Sequence, residues 1–219
     1  MDRDSFYSTT STADSAASAA APASDFEARR GVGLAAAWLF FRRFLVHPAL
    51  LATALPSSRA MARMVAAQVR RSPGEYVVEL GAGTGAVTEA LLAAGVPAER
   101  LIIVEIDEEM ASFLDEAFPG VTVIHGSAAE IASLLPEEAR GRVGEIVCGV
   151  PVSLLGYDDQ KAMVDAMLAV LPEGQRFLAY TYRPASPLPM ARLRLAGRRV
   201  GFTLRNVMPA SVWAYRRDG

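Results

Sequence analysis

Between residues 75 and 182 one pattern recurs: a short run of apolar and β-branched residues, a turn rich in glycine or polar residues, then a longer stretch with helical patterning. The runs predict strands over 75–80 (EYVVEL), 101–105 (LIIVE), 121–125, 145–149 and 175–182. The stretches between them predict helices over 84–94, 108–118, 129–135 and 158–171. Breakers fall where such elements need them: Gly95 ends the first helix, Pro119-Gly120 the second and Pro172-Glu173-Gly174 the last. Short β-branched strands alternating with helices predict an α/β, doubly wound parallel sheet with helices on both faces. The pattern then changes. Residues 199–206 and 211–216 read as two strands joined by Val207-Met208-Pro209-Ala210 with no helix between them, which predicts an antiparallel C-terminal hairpin at the sheet edge.

Ahead of this body the patterning is different. Residues 1–24 are rich in Ser, Ala and Thr and lack both a basic start and an apolar run, so they read as a disordered tail and not as a signal peptide. Ser24 followed three residues later by Glu27 matches a capping box and predicts a helix that runs to His47, where Pro48 stops it. Trp38, Phe41 and Leu45 fall at helical spacing with Leu34 above them, and Arg29, Arg30, Arg42 and Arg43 flank this apolar arc. The apolar run is too short before Arg42-Arg43 to cross a bilayer. An amphipathic helix lying in a membrane interface and a core helix packed across the sheet both fit it. A second helix starts at the serine caps of Pro56-Ser57-Ser58 and continues over 59–69. The organisation is a tail over 1–24, an amphipathic helical segment over 25–55 and one α/β domain over 56–219.

Composition adjusts this picture in three ways. An apolar fraction of 52% and a mean hydropathy of +0.23 call for a large core or for apolar surface that meets something other than water. A net charge of −2 gives no global electrostatic case for nucleic-acid binding, although arginines crowd both ends of the chain around an acidic centre. The one cysteine, Cys148, excludes an internal disulfide and reads as a small buried apolar residue; two histidines, with no Cys/His spacing, predict no metal site.

The stretch with most chemistry is Glu79-Leu80-Gly81-Ala82-Gly83-Thr84-Gly85, set between the first strand and the first helix. Gly81 and Gly83 let the backbone turn sharply and let a ligand approach main chain, and the helix that follows offers free N–H groups. Glu105 ends the next strand, where a carboxylate accepts hydrogen bonds from ribose hydroxyls. The letters also fit a loose dinucleotide fingerprint ending at Ala86, which leaves a nicotinamide enzyme as a competitor. Three features favour a methyl donor: the acidic Glu79 before the loop, the closing hairpin, and a chain too short for a second substrate domain.

From Pro56 to Arg217 the chain resembles the bacterial phospholipid N-methyltransferases that convert phosphatidylethanolamine to phosphatidylcholine. The stretches that carry the resemblance are Pro56-Ser57-Ser58-Arg59, the ELGAGTG loop, Val104-Glu105-Ile106-Asp107 and the run from Gly149-Val150-Pro151 to Leu155. Tyr180-Thr181-Tyr182-Arg183-Pro184, Ser186-Pro187-Leu188-Pro189, Arg205 to Ala210, and Trp213 to Arg217 complete it. Two departures stand out. Gly126-Ser127-Ala128 replaces the Gly-Asp-Ala of related enzymes, and the segment after the fourth strand lacks the Asn-x-Pro-Tyr signature of nucleobase amine methylation.

The resemblance implies a Rossmann-like, seven-stranded class I methyltransferase domain that uses S-adenosylmethionine and releases S-adenosylhomocysteine. It implies a cofactor site of Ser58, Glu79, Gly81, Ala82, Gly83, Gly85, Glu105, Ile106, Ser127 and Ala128. Reacting-end residues would be Gly149, Val150 and Pro151, whose carbonyls suit an amine, with Tyr180 and Tyr182, which share a strand face and suit a methylated cation. Arg183 fits the lipid phosphate, with Tyr157 and Trp213 as further substrate contacts. Leu34, Trp38, Phe41, Arg42, Arg43 and Leu45 would meet an anionic membrane surface, giving a peripheral enzyme on the inner face of the cell membrane, with neither nucleic acid nor metal as partner. An RNA adenine dimethyltransferase-like enzyme and a non-catalytic, membrane-associated cofactor-binding module are the alternatives.

Overall fold

The computed structural model describes residues 59–204 and 209–219. The first element among the described residues is a helix, α1, over 59–66. Strands β1 (Tyr76–Leu80), β2 (Leu101–Glu105), β3 (Thr122–His125), β4 (Val143–Cys148) and β5 (Phe177–Thr181) then alternate with helices α2 (Ala86–Ala93), α3 (Glu108–Ala117), α4 (Ile131–Leu134) and α5 (Tyr157–Val170). A single-turn helix α6 (Met190–Leu193) precedes β6 (Leu195–Thr203) and β7 (Ala210–Arg217). The seven strands form one sheet in the order β3-β2-β1-β4-β5-β7-β6. The pairs β1–β2, β1–β4, β2–β3 and β4–β5 are parallel, whereas β7 runs antiparallel to both β5 and β6.

Helices on both faces bury the central strands completely. Every residue of β1, β2 and β4 is buried, which is why these segments read as continuous apolar runs and not as alternating ones. Successive side chains then divide between two cores. Val78, Leu80, Ile102, Val104, Ile146 and Cys148 face α4 and α5. Val77, Ile103, Val147, Leu178 and Val212 face α1 and α2. Phe177 and Tyr215, both fully buried, stack at 5.2 Å in the first core; burial of one such ring stabilises by about 1.5–3 kcal/mol.

The chain reverses its winding direction at β1, because β2 goes to one side and β4 to the other. The loops after β1 and β4 therefore run apart at the C-terminal edge, which is where open α/β sheets have their ligand crevice. The closing hairpin lies at the sheet edge as expected, with β7 between β5 and β6 and β6 outermost on that side. One boundary is corrected. Strand β6 starts at Leu195, four residues earlier than residue 199, because its first residues pair with Arg217 and Arg216 across the ladder. The membrane-facing residues Leu34, Trp38, Phe41, Arg42, Arg43 and Leu45, the helix expected to reach His47, and Ser58 lie outside the described residues. Among the described residues no helix is long and apolar enough to cross a membrane.

Candidate active site

The glycine loop leaves β1 at Leu80 and coils through Gly81, Gly83 and Gly85, whose φ angles are 71°, 55° and 79°. Gly85 is the N-cap of α2, and its N–H donates to the Ala82 carbonyl at 3.0 Å. A methyl group at Gly85 would run into the ring of Phe118, from the end of α3, besides straining a left-handed backbone. At the end of β4, Gly149 donates to the Leu80 carbonyl at 2.8 Å, and a Cβ there would strike the carbonyl oxygen of Gly81. The first and fourth strands thus approach as closely as main chain allows just where the loop begins.

Three charged or polar groups on the α1–α2 side of the sheet point toward this edge. Glu79 is fully buried; its Oε2 accepts from the Thr88 hydroxyl at 2.7 Å, and its Oε1 has no partner among the described residues. Burial raises its pKa from 4.5 to about 7; the Thr88 bond pulls it down and the Glu105 charge pushes it up. Glu105, also buried, is held by main chain: Oε1 accepts from Ile106 N at 2.8 Å and Asp107 N at 3.2 Å, Oε2 from Gly83 N at 3.3 Å. Burial raises its pKa too, opposed by those three N–H donors. The carboxylate that ends β2 is thereby tied directly to the glycine loop that ends β1.

Tyr180 supplies the third group. It packs in the same core as α1 and α2, and its hydroxyl lies 2.8 Å from where a Cβ on Gly149 would sit. Burial, then the charge of Glu79, hold its pKa well above 10, so it stays a neutral phenol at any physiological pH. Tyr182 packs on the same face, with its pKa also raised by burial. Beyond β4, Val150 and Val152 close a three-residue turn around Pro151, whose φ of −72° and ψ of 68° are those of an inverse γ-turn. In it the Val150 carbonyl accepts from Val152 N at 2.7 Å, so one of its lone pairs is already engaged.

The other expected residues fall in three places. Ser127 caps the 3-10 turn that begins at Ala128, its Oγ accepting from Ala129 N at 3.3 Å, while Ile106 receives His125 Nε2 on its carbonyl at 3.2 Å. Both stand at the tips of β2 and β3, on the β2–β3 side of the glycine loop. Arg183 is exposed just after β5, its carbonyl accepting from the Ser211 hydroxyl. Trp213 is not brought beside the tyrosines. It pairs with Ala179 and so takes the opposite face of the sheet, where Nε1 donates to Ser211 Oγ at 3.0 Å. Tyr157 opens α5, donates to the Arg192 carbonyl at 3.1 Å and carries the Arg192 guanidinium 3.9 Å above its ring. Sequence reasoning passed over Thr88 and Phe118; the signals were a hydroxyl in the first turns of α2 and an aromatic ring just before Pro119-Gly120.

The described residues fit an adenosyl cofactor bearing a cation. The loop is built on three positive-φ glycines, a carboxylate stands at the tip of β2 and is tied to that loop, and a second buried carboxylate keeps one oxygen unpartnered. Comparison with known proteins agrees. A family described as "Methyltransferase domain" matches residues 77–174. A glycopeptide N-methyltransferase, MtfA, in complex with S-adenosylmethionine superposes with a TM-score of 0.54 at 13% identity, covering 74% of this chain and 87% of that one. The fold is the class I methyltransferase fold. The cofactor that this fold and these residues fit is S-adenosylmethionine, with S-adenosylhomocysteine as its product. Among sequence relatives, an ornithine lipid N-methyltransferase from Singulisphaera acidiphila is 27% identical over 150 residues, 67% of this chain and 78% of that protein. A ribosomal RNA small subunit methyltransferase A from Nitrosomonas europaea is 38% identical over 53 residues, 24% of this chain and 20% of that protein.

Proposed function

We propose that this methyltransferase transfers methyl groups from S-adenosylmethionine to the amine of phosphatidylethanolamine and of its mono- and dimethylated forms, giving phosphatidylcholine at a membrane surface. The observation that carries the reading is the 150-residue similarity to an enzyme that methylates a lipid amine. The crevice is compatible with it. Two phenols on one strand face suit an amine that becomes a bulkier, permanently charged cation, with attraction of about 0.5–2 kcal/mol per aromatic face.

When bound, the cofactor supplies an electrophilic methyl group on a sulfonium sulfur. The protein's part is to align and desolvate the amine, which must be neutral to attack. A weakly polar crevice lowers an amine's pKa and so favours its neutral form. Tyr180, as a neutral phenol, can orient an amine N–H through its oxygen lone pairs but cannot serve as an anionic base. The proton therefore leaves to water. Arg183, exposed after β5, is free to meet a lipid phosphate at the rim, and the segment over 25–55 would bring that rim to an anionic bilayer.

The test is a methylation assay with labelled cofactor, the full chain, and anionic vesicles that contain either phosphatidylethanolamine or ornithine lipid, beside an RNA arm. Label in mono-, di- and trimethylated phosphatidylethanolamine supports the reading. Label confined to ornithine lipid, or transferred to RNA, replaces it. Tyr180→Phe should lower kcat on the lipid several-fold with unchanged cofactor affinity.

A further inference from the structure

A cavity of about 390 Å³ opens on the α1–α2 side of the β6–β7 hairpin, away from the crevice. Its floor is Ala196 and Ala214, small residues that leave the sheet bare, and four arginines converge around it: Arg70, Arg176, Arg198 and Arg216. Their origins are separate. Arg70 follows α1, Arg176 precedes β5, and Arg198 and Arg216 stand on the same face of neighbouring antiparallel strands. The cavity lies at the N-terminal end of the parallel strands: Arg176 comes immediately before Phe177, the first residue of β5, whereas Tyr180 and Gly149 stand at the other end. It is therefore no part of the cofactor crevice.

The charge there is largely uncompensated. Arg176 is paired with the buried Glu145 at 3.2 Å and also donates to the Gln68 carbonyl, and these bonds fix it as a rigid wall; its Nη1 has no acceptor among the described residues. Glu145 receives the main-chain N–H of Arg70 at 3.0 Å, which seats that residue beside it. Among the described residues no ion pair holds the side chain of Arg70, Arg198 or Arg216, and no carboxylate lines the cavity. Like charges gathered around a concave, partly apolar surface repel one another and weaken the fold, unless an anion sits among them. Guanidinium is the group whose planar fork matches phosphate oxygens in pairs. The volume exceeds that of one phosphate group and leaves room for the atoms esterified to it.

We propose that this four-arginine cavity is a second ligand site, which binds a phosphate group remote from the methyl-transfer crevice. The phosphate belongs either to a soluble phosphate compound or to an anionic lipid headgroup. The site operates whether or not the methyl acceptor is a phospholipid, so its test is independent of that reading.

The experiment uses the full chain and the double variant Arg198→Ala/Arg216→Ala, which touches neither the glycine loop nor the tyrosines. Inorganic pyrophosphate is titrated calorimetrically, and sedimentation is measured with vesicles containing phosphatidic acid. Cofactor titration and thermal unfolding check that the variant is folded; should it unfold, the single variants Arg198→Gln and Arg216→Gln take its place. Saturable pyrophosphate binding that weakens at least tenfold in the variant, with cofactor binding unchanged, is the expected result. If vesicle sedimentation falls with it, the source is a headgroup; if sedimentation is unchanged, the source is a soluble phosphate. Absence of pyrophosphate and vesicle binding by the wild type, or equal binding by wild type and folded variant in both arms, overturns the proposal.

Discussion

Burial makes Glu79 a carboxyl group that holds its proton to a higher pH than an exposed one. Its pKa of about 7 lies above the ordinary 4.5, so the folded chain binds this proton more tightly than the unfolded chain. The resulting stabilisation is complete below the ordinary value and fades as pH rises toward about 7. Glu145 shifts in the same direction, also to about 7. The urea midpoint should therefore fall between about pH 5 and about pH 7.5, and Glu79→Gln should flatten the slope while leaving the share due to Glu145. Parallel slopes for the two proteins would count against this account of Glu79. Glu105 behaves differently, because its carboxylate is already organised by three main-chain donors. Replacing it with Ala should weaken cofactor binding by about tenfold or more in a calorimetric titration, the size expected for lost hydrogen bonds to a charged group. Unchanged affinity would remove it from the ribose role.

At the scale of elements, the buried Arg176–Glu145 pair clamps the start of β5 to β4 and to the end of α1. Arg176→Leu leaves a carboxylate buried without its partner and should cost about 3–5 kcal/mol near neutral pH. The loss should be smaller at about pH 5, where Glu145 can take up a proton. Chemical denaturation at the two pH values checks both statements. Much of this architecture was legible beforehand, and the reason is burial. β1, β2, β4 and β5 came within a few residues of their observed limits, since strands covered on both faces leave unbroken apolar runs. β6 was harder to read. It is an edge strand with Gly197, Arg198 and Arg199 at its centre, and Gly197 is there because any side chain would strike Tyr215 and Met190. α6 is a single turn and leaves no period to detect, and the stretch over 129–135 divides into a 3-10 turn and a short α4. In the site, Glu79, the glycines and Glu105 declared themselves by spacing along one βαβ unit. Thr88 and Phe118 did not, because their roles arise from contacts between elements. Trp213 illustrates the same limit: alternation puts it on some face of β7, but only the pairing with Ala179 tells which one.

For the molecule as a whole, the cofactor crevice and the arginine cavity occupy opposite ends of one sheet, so a ligand at either end stabilises the same cooperative unit. S-adenosylmethionine at 100 times its dissociation constant should add about 2.7 kcal/mol, which for a chain of this size raises Tm by about 5–11 °C. Differential scanning fluorimetry measures it, and an unmoved transition would argue against a preformed crevice. The same unity makes the Gly81–Gly149 contact a whole-molecule constraint, because it sets how near the two halves of the sheet can stand.

The placing of β7 between β5 and β6 has a further consequence for synthesis. As a nascent chain leaves the ribosome, β6 precedes β7, and among the described strands its one neighbour in the sheet is translated after it. Until then β5 keeps an open flank of main-chain amides and carbonyls, the kind of edge that chaperones shield and that invites pairing between chains. Arrival of residues 210–217 pairs the flanks of β5 and β6 in one step and moves the open edge outward to the polar, arginine-bearing β6.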